Sequence, residues 1–407
     1  MPEITKTSET ISSIENEKVY EVHVVENEME TEHKMCSRCI LDDTASDIWF
    51  DAAGECKYCK IHDEMEKVHP LDETSDTRLA SLVERIKAAG KNKEYDCIVG
   101  VSGGRDSTYS LYTAVRLGLR PLAVHFDNGW NSEIAVSNIK NAVSELKVDL
   151  HTVVADWEEF KDLQIAFLKA SVPDAEVPTD YAIYSVLYQT AQKEGIKYIV
   201  NGHSFRTEGT SPLSWTYMDG RYVRSVHKLF GRIRKIKSFP IMSMTQLLVY
   251  IFVKRTKEIR LMEYIDYRKK DVDKILEREM GWKYYGGHHH ESIFTNFFQS
   301  YLLPKKFNVD KRKTENSALI RSGQMSREEA LAEIQSTPYE FEQEIVDYAI
   351  SKLDLSREAF DEIMRLERKA FTDYPTYFPL IKLLKQPIKI ACKMRLLPHI
   401  LYLKYAS

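Results

Sequence analysis

A short apolar segment that runs into two consecutive glycines constrains the fold of this chain more than any other feature. Residues Tyr95–Val101 are apolar almost without alternation, which is typical of a strand buried in a parallel sheet. A Ser-Gly-Gly turn at 102–104 follows, and the spacing then predicts a helix from about Ser107 to Leu117 that Gly118 closes. A strand, a tight turn and a helix in this order indicate an α/β domain.

Strand and helix patterns keep alternating after this first unit. Strands are predicted at Pro121–Phe126, Leu150–Val154 and Ile196–Val200, and helices at Ile134–Leu146, Trp157–Ala170 and Asp180–Glu194. Alternation at this spacing predicts βαβ units in a doubly wound parallel sheet. Because such sheets bind ligands at the carboxyl ends of their strands, the glycine turn lies where a ligand is expected.

The turn itself has the chemistry of an anion site. Gly103 and Gly104 permit positive φ angles and let backbone amides approach an anion closely. The start of the helix adds unpaired N–H groups and a positive dipole end, and Ser102 and Ser107 add hydroxyl donors. Asp106 fits beside phosphates if it holds Mg²⁺. The alternative is a tight turn in which Asp106 caps the helix, but SGGxDS directly after a buried strand favours phosphate binding.

The motif SGGRDS in this position resembles the PP-loop of the ATP pyrophosphatases. The resemblance implies an enzyme that cleaves ATP between the α and β phosphates, transfers AMP to a substrate oxygen, and lets a nitrogen or sulfur nucleophile displace the AMP. It also implies nucleotide contacts from His125, Asp127 and Asn128 after the second strand, and from Gly202 and His203 after the strand at 196–200. The alternative for both segments is a simple turn, since Asp-Asn-Gly and Asn-Gly form turns readily.

Four cysteines precede the α/β part in two CxxC pairs, Cys36 with Cys39 and Cys56 with Cys59. The sixteen residues between the pairs match the spacing of a four-cysteine zinc site. Alternatives are a redox pair, a disulfide pair and an iron–sulfur cluster. Because sulfur would fill all four positions of the ion, we expect a structural Zn²⁺ without an open coordination site.

The part of the chain after about residue 239 is predicted to be mainly helical and charged. It holds three adjacent histidines, His288, His289 and His290, and two lysines, Lys305 and Lys306, among aromatic residues. One interpretation is a polar loop whose aromatic side chains pack. The other is a loop that supplies histidine and lysine to an anionic, hydroxyl-rich substrate, with the two lysines facing phosphate or carboxylate groups.

Several motifs together resemble one family more closely than the general PP-loop group, the N-acetyl sugar amidotransferases of surface-polysaccharide and nonulosonic acid biosynthesis. They are CSRCILDDTASDIWFD, CKYC, VGVSGGRDSTY, HFDNGWNSE, NGHSFRTEG and LLPKKFNVDKRK, and the likeness extends from Met35 to about Ile400. The resemblance implies conversion of an N-acetyl group on an activated, nucleotide-linked sugar into an acetamidino group. It also implies a separate glutaminase subunit, of the imidazole glycerol phosphate synthase type, as the ammonia source. No glutaminase motif is visible in this chain.

On this interpretation the chain has an acidic extension at 1–33, a zinc module at 34–64, an ATP-binding α/β domain at 65–238 and a helical substrate region at 239–407. The expected cofactors are ATP, Mg²⁺ and structural Zn²⁺. Asp106, Ser107, His203 and Lys305 are the predicted catalytic residues, and imidazole suits proton transfer because it titrates near neutral pH.

Composition limits the other classes of function. The net charge of −4 and pI near 6.3 argue against a protein that coats nucleic acid. Residues 1–33 carry nine Glu and two Lys, whereas residues 374–407 carry six Lys or Arg and no acid. The acidic start lacks the pattern of a signal peptide, and the longest apolar run, Leu247–Val253, is too short to span a membrane, so we expect a cytoplasmic protein.

Three questions stay open at this level. The basic C-terminal tail could dock on the main domain or on the glutaminase, which we favour, or rest on an anionic membrane. A PP-loop enzyme that thiolates tRNA would need reactive cysteines and a basic face, which this chain does not show in its sequence. A non-enzymatic zinc scaffold is disfavoured by the intact SGGxDS motif. A short strand is also possible at Lys18–Val25.

Overall fold

A computed structural model describes residues 33–287, 290–336, 341–394 and 396–406. Residues 34–407 form one compact unit. The acidic extension, with its predicted strand at Lys18–Val25, lies outside the described residues.

Five strands form one sheet in which every paired neighbour is parallel, in the order β3-β2-β1-β4-β5. They are β1 Cys97–Gly100, β2 Pro121–Asp127, β3 Leu150–Val154, β4 Tyr198–Asn201 and β5 Lys257–Arg260. The first four lie where the sequence predicts them. The order reverses direction at β1, because the chain moves outward to β3 on one side and to β5 on the other. The carboxyl end of β1 is therefore the switch point, where doubly wound sheets bind ligands.

Helices connect the strands and then make up most of the remaining chain. They are α1 Lys57–Val68, α2 Ser75–Ala89, α3 Arg105–Arg116, α4 Glu133–Leu146, α5 Trp157–Ala170, α6 Val177–Lys193, α7 Gly220–Phe230, α8 Met244–Leu248, α9 Lys269–Met280, α10 Ile293–Phe297, α11 Arg312–Arg321, α12 Arg327–Ser336, α13 Gln343–Lys352, α14 Arg357–Arg365, α15 Phe378–Leu383, α16 Lys385–Lys393 and α17 His399–Leu401. Short 3₁₀ turns occur at Leu261–Tyr264 and Phe371–Asp373, and π-helical segments at Val249–Val253, Phe298–Phe307 and Tyr402–Ala406. The prediction of a mainly helical C-terminal region is confirmed.

Both faces of the sheet are covered, as the near-continuous apolar strands predict. Ile98 of β1 faces one core, which α5, α6 and α7 complete, whereas Cys97 and Val99 face the other, beneath α2, α3, α4 and α9. The predicted class, a doubly wound α/β sheet with an N-terminal four-cysteine module and a helical C-terminal region, is therefore correct.

The strand β5 was not predicted. It pairs with β4 along its whole length, from Tyr198 with Lys257 to Asn201 with Arg260, so the sheet continues past residue 238 into the segment predicted as helical. The sequence KEIR does not indicate a strand, because an edge strand keeps one side open and needs no apolar run.

The C-terminal tail lies partly against the body of the protein. Cys392, Ile400 and Leu403 are buried, and the Tyr405 ring lies 6.0 Å from that of Tyr217. Within the described part of the chain, no helix is long and apolar enough to cross a bilayer.

Candidate functional site

The turn after β1 is shaped by its two glycines. Gly103 has a φ of 81°, and a Cβ on it would collide with the carbonyl oxygen of Ala135 in α4. A Cβ on Gly104, the N-cap of α3, would lie 2.5 Å from Oε1 of Glu291. Gly103 is thus required by backbone conformation and by space, whereas a larger residue at Gly104 would have to displace the Glu291 carboxylate.

The two serine hydroxyls of the loop lie side by side at the start of α3. Their Oγ atoms are 3.2 Å apart, the Ser102 amide donates to Ser107 Oγ at 3.2 Å, and Ser107 Oγ donates to the carbonyl of Gly104 at 3.2 Å. Hydroxyls, glycine amides and a helix N-terminus therefore converge on one small region at the switch point, which is the donor set that a phosphate requires.

A carboxylate that the sequence analysis did not predict lies in this region. Glu291 is 6% exposed, and its Oε1 accepts a hydrogen bond from Ser102 Oγ at 3.0 Å. Its backbone is held beside the segment after β2, where Ser132 N donates to Glu291 O at 2.9 Å and Ile293 N donates to Trp130 O at 2.9 Å. Nothing in the sequence distinguishes this glutamate, because its role depends on a contact across 189 residues.

Aromatic residues of the GWKYYGG segment support the loop. The Gly103 carbonyl accepts from Trp282 Nε1 and from Asn138 Nδ2, both at 3.1 Å, and the Arg105 amide donates to Tyr285 OH at 3.1 Å. Two interpretations were open for this region, a loop whose aromatic side chains pack and a loop that supplies substrate contacts. The structure places Trp282 and Tyr285 against the loop, where they fix its backbone.

Asp106 is half-buried in the first turn of α3 and accepts a hydrogen bond from Tyr267. Burial, followed by the negative charge of Glu208, raises the pKa of Asp106 to about 6. The carboxyl group is thus poised to be neutral in weakly acidic solution and charged above it, and a cation nearby would favour the charged form.

We call residues 102–107 the phosphate loop, after the ligand that we predict for it. The loop after β4 lies close to it. A Cβ on Gly202 would lie 2.9 Å from the backbone carbon and oxygen of Asp106 and 3.0 Å from Ser107 N. His203 Nδ1 lies 2.7 Å from Glu208 Oε2, and the His203 amide donates to Asn201 Oδ1 at 2.8 Å. The structure therefore brings His203 to the switch point with a carboxylate that orients its ring.

The residues after β2 make a tight turn and also line this edge of the sheet. His125 Nδ1 lies 2.8 Å from Val101 O, and Asn131 Nδ2 lies 3.1 Å from its other ring nitrogen. Asp127 Oδ1 accepts from Gly129 N at 2.9 Å, and Asn128 Oδ1 accepts from Trp130 N at 3.1 Å. These two hydrogen bonds show that Asp127 and Asn128 stabilise a turn. A nucleotide contact from either residue stays a prediction.

Three of the five predicted substrate residues lie among the described residues. His288 and His289 lie outside the described residues, and His290 is adjacent to Glu291. Lys305 is exposed, with Nζ 5.6 Å from the Phe341 ring centroid. Lys306 is buried and donates to the Ile363 carbonyl, and burial, with the nearby charge of Arg368, lowers its pKa to about 8. Substrate roles for these residues stay predictions.

A second buried carboxyl group joins the α/β part to the C-terminal region. Glu176, at the N-cap of α6, accepts from Thr295 Oγ1 of α10 at 2.5 Å. Burial, followed by the charge of Asp180, raises the pKa of Glu176 to about 8. No local pattern predicts this pair, because its members are 119 residues apart.

The four predicted metal ligands come together. Cys36, Cys39, Cys56 and Cys59 are fully buried, and all four Sγ atoms lie within 4.8 Å of one another. Three of the Sγ–Sγ distances are 3.7 to 3.8 Å. A tetrahedral zinc with Zn–S bonds of about 2.3 Å requires about 3.8 Å between sulfurs, so the cluster fits this ion.

An arginine from α11 completes the surroundings of this four-cysteine centre. Arg321 donates from Nη2 to Cys39 Sγ at 3.3 Å and from Nε to Cys59 Sγ at 3.4 Å. Such donors offset the negative charge of thiolate ligands and orient them. Arg321 was not predicted, because its position in a charged helix resembles that of any surface arginine.

Comparisons with known proteins add one assignment. Residues 291–387 match a family described as "LPS biosynthesis protein WbpG-like, C-terminal domain". Among solved structures, one similar chain is the NMN synthetase from Francisella tularensis, at 15% identity and a TM-score of 0.28, covering 72% of this chain and 92% of that one. No curated protein matches the chain.

Proposed function

We propose that this protein is an AMP-forming ligase that converts the acetamido group of an N-acetyl sugar into an acetamidino group. The observation that carries the proposal is the loop at the switch point, where glycine amides, two hydroxyls and the N-terminus of α3 converge. A site of this kind suits the pyrophosphate of ATP. The WbpG-like domain at 291–387 supports a role in surface-polysaccharide synthesis, because its name refers to LPS.

ATP would bind with its β and γ phosphates on the loop of residues 102–107. Ser102, Ser107 and the amides of Gly103 and Gly104 would hold the pyrophosphate, and Asp106 would hold Mg²⁺. The magnesium ion would neutralise charge on the leaving group. Adenosine would lie toward the segments 125–128 and 202–203, which border the same edge of the sheet.

The chemistry follows from the weak reactivity of an acetamide. Its oxygen attacks the α-phosphorus of ATP, the bond between the α-phosphorus and the bridging oxygen breaks, and pyrophosphate leaves with that oxygen. Ammonia then adds to the carbon of the O-adenylyl imidate, a proton passes from nitrogen to a base, and AMP leaves with the former acetamide oxygen. His203 is suitably placed for the proton, since Glu208 orients its ring at the switch point.

The ammonia would come from a separate glutaminase subunit. This part of the proposal predicts that the purified chain uses ammonium salts and does not hydrolyse glutamine alone. Glutamine hydrolysis by the isolated chain would refute the two-component arrangement.

The thiolation alternative receives no support from the cysteines. All six are described and buried, and burial, with the charge of Asp96, raises the pKa of Cys97 to about 12. A buried neutral thiol is a poor nucleophile. We therefore favour nitrogen transfer to a sugar in the cytoplasm, with no nucleic-acid partner.

The test is a product analysis with ATP, ammonium chloride and a panel of nucleotide-linked N-acetyl sugars, with tRNA as the competing substrate. The proposal predicts AMP, pyrophosphate and amidine in equal amounts with at least one sugar. Formation of ADP, or turnover with tRNA alone, would rule it out.

A further inference from the structure

The loop between β4 and α7 contacts three separate parts of the protein within eight residues. At its start, Gly202 lies against the first turn of α3, as described above. At its end, Gly209 has a φ of 74°, and a Cβ there would lie 3.1 Å from Thr314 O and from the Ala318 Cβ of α11. Between them, Arg206 is 4% exposed and reaches α1. We name residues 202–209 the β4 loop.

Arg206 is held by a two-pronged ion pair. Its Nε donates to Glu66 Oε1 at 2.8 Å, and its Nη2 donates to Glu66 Oε2 at 2.6 Å. Further donors of the same guanidinium bond the carbonyls of His69 and Glu263. A planar fork with this many partners fixes both the side chain and the backbone next to it, which a lysine ammonium cannot do in the same way.

Glu66 lies in α1, the helix whose N-terminus holds two of the four cysteines. Cys56 is the N-cap of α1 and Cys59 lies in its first turn, while Glu66 lies near its last turn. An α-helix rises about 1.5 Å per residue, so Glu66 lies roughly 10 Å along α1 from Cys59. The helix therefore links the position of the cysteines to the position of Arg206.

The helix α11 provides a second connection between the four-cysteine centre and the β4 loop. Arg321 donates to two of the cysteine sulfurs, and the next residue, Ser322, donates from Oγ to the carbonyl of Arg206 at 2.8 Å. The β4 loop is therefore joined to the four-cysteine centre by two routes, through Glu66 and through Arg321. Neither route includes a residue of the phosphate loop.

We propose that the four-cysteine metal centre positions the β4 loop through Arg206 and Arg321, so that metal occupancy and nucleotide binding strengthen each other. The inference rests on the proposed function, because it takes the β4 loop to border the nucleotide. The metal takes no part in the chemistry. It fixes α1 and α11, these fix Arg206, and Gly202 and His203 then stand correctly beside α3.

Coupling between two sites is reciprocal, so it can be measured from the metal side. The experiment uses the full chain loaded with zinc and an ATP analogue with a methylene bridge between the α and β phosphates, saturated with Mg²⁺. Zinc affinity is measured by competition with a chromophoric chelator, with and without the analogue. We expect the analogue to tighten zinc binding at least about 5-fold, the lower end of typical coupling.

Arg206→Lys keeps the charge but loses the fork, and Arg327→Lys is the matched control. Arg327 also holds the zinc module, donating to the carbonyls of Cys36 and Cys39 at 3.3 Å, but none of its hydrogen bonds reaches the β4 loop. We expect Arg206→Lys to retain bound zinc, to weaken analogue binding by calorimetry, and to reduce the effect of the analogue on zinc affinity, because only the route through Glu66 is lost. Arg327→Lys should preserve that effect.

The outcomes separate this inference from the proposed function. If calorimetry shows no binding of the analogue to the zinc-loaded wild-type chain, the proposed function fails. If the analogue binds but zinc affinity is the same with and without it, the coupling is refuted. An equal loss of coupling in Arg206→Lys and Arg327→Lys would also overturn the inference, because it would show general loosening of the module.

Discussion

Ser102 Oγ donates a hydrogen bond to the carboxylate of Glu291 at 3.0 Å, so the first residue of the segment that matches the WbpG-like family contacts the loop after β1. The carboxylate lies beside Gly104, where a Cβ would come within 2.5 Å of it. A carboxylate of the protein therefore occupies part of the region that we assign to pyrophosphate. The two parts of the chain meet at this region.

Glu291→Gln should bind pyrophosphate more tightly than the wild type. Glutamine keeps the shape and the hydrogen bond from Ser102 but removes a charge that repels an anion at short range. A buried charge of this kind is worth at least about 1.4 kcal/mol, which corresponds to a tenfold change in the dissociation constant. Isothermal titration calorimetry with pyrophosphate and Mg²⁺ measures the dissociation constants of the two proteins.

The control for this variant is Glu133→Gln, which removes the same charge from an exposed position at the start of α4. It should leave pyrophosphate affinity within about twofold of the wild type, because exposed charges are screened. Weaker binding in Glu291→Gln would contradict this prediction and would indicate that the carboxylate helps to hold the magnesium ion.

Gly103→Ala should destabilise the protein more than Gly195→Ala. Both glycines have positive φ angles, 81° and 66°, so both substitutions carry the backbone cost of about 1 to 2 kcal/mol. Only at Gly103 would the new Cβ also meet the backbone of Ala135, whereas nothing lies within 4 Å at Gly195. Thermal unfolding compares the two, and equal losses would show that the loop is not tightly packed.

The chain should contain one tightly bound zinc, measurable by elemental analysis after dialysis. Cys39→Ser should lose it and unfold at a lower temperature, because removing one of four thiolates opens the site. Cys392→Ser is the control, since Cys392 is also buried but is not one of the four clustered cysteines and donates to the Pro398 carbonyl. Zinc retained in Cys39→Ser, or iron in place of zinc, would contradict the assignment.

Glu176→Gln should become increasingly more stable than the wild type as pH rises. The pKa of Glu176 is about 8 in the folded protein against about 4.3 in the unfolded chain, so folding binds a proton between these values. Its contribution to stability is present below about pH 4 and is lost as pH rises toward 8. Glutamine has no such proton, and still accepts from Thr295.

Urea unfolding at pH 5, 7 and 8.5 measures this effect. The advantage of Glu176→Gln should be small at pH 5 and exceed about 1 kcal/mol at pH 8.5, since one pKa unit corresponds to about 1.4 kcal/mol. A difference that does not change with pH would show that the carboxyl group titrates normally.

Sequence patterns predicted the sheet well wherever strands are buried on both faces. The apolar run at β1 and the later runs at β2 and β4 place those strands within a few residues. The edge strand β5 escaped prediction, because residues 257–260 are mainly charged and pair only with β4. The other edge strand, β3, was predicted because its sequence LHTVV is rich in apolar and β-branched residues.

In the candidate site, too, some residues could be predicted from the sequence and others could not. Local motifs predicted the glycines, the hydroxyls and the four cysteines, because their spacing in the chain sets their geometry. Glu291, Arg321 and Arg206 act through contacts between distant segments, which no local pattern records. The burial of Lys306 against the Ile363 carbonyl is likewise a contact between distant segments, and its substrate role stays a prediction.

The central claim is that the acetamide oxygen attacks the α-phosphorus of ATP. It is tested most directly with nucleotide-linked N-acetyl sugars that carry ¹⁸O in the acetamido carbonyl, incubated with ATP, Mg²⁺ and ammonium chloride. Mass spectrometry of the products should find one ¹⁸O atom in AMP and none in pyrophosphate, in an amount equal to the amidine formed. Label in inorganic phosphate together with ADP, or amidine formed with unlabelled AMP, would contradict the mechanism.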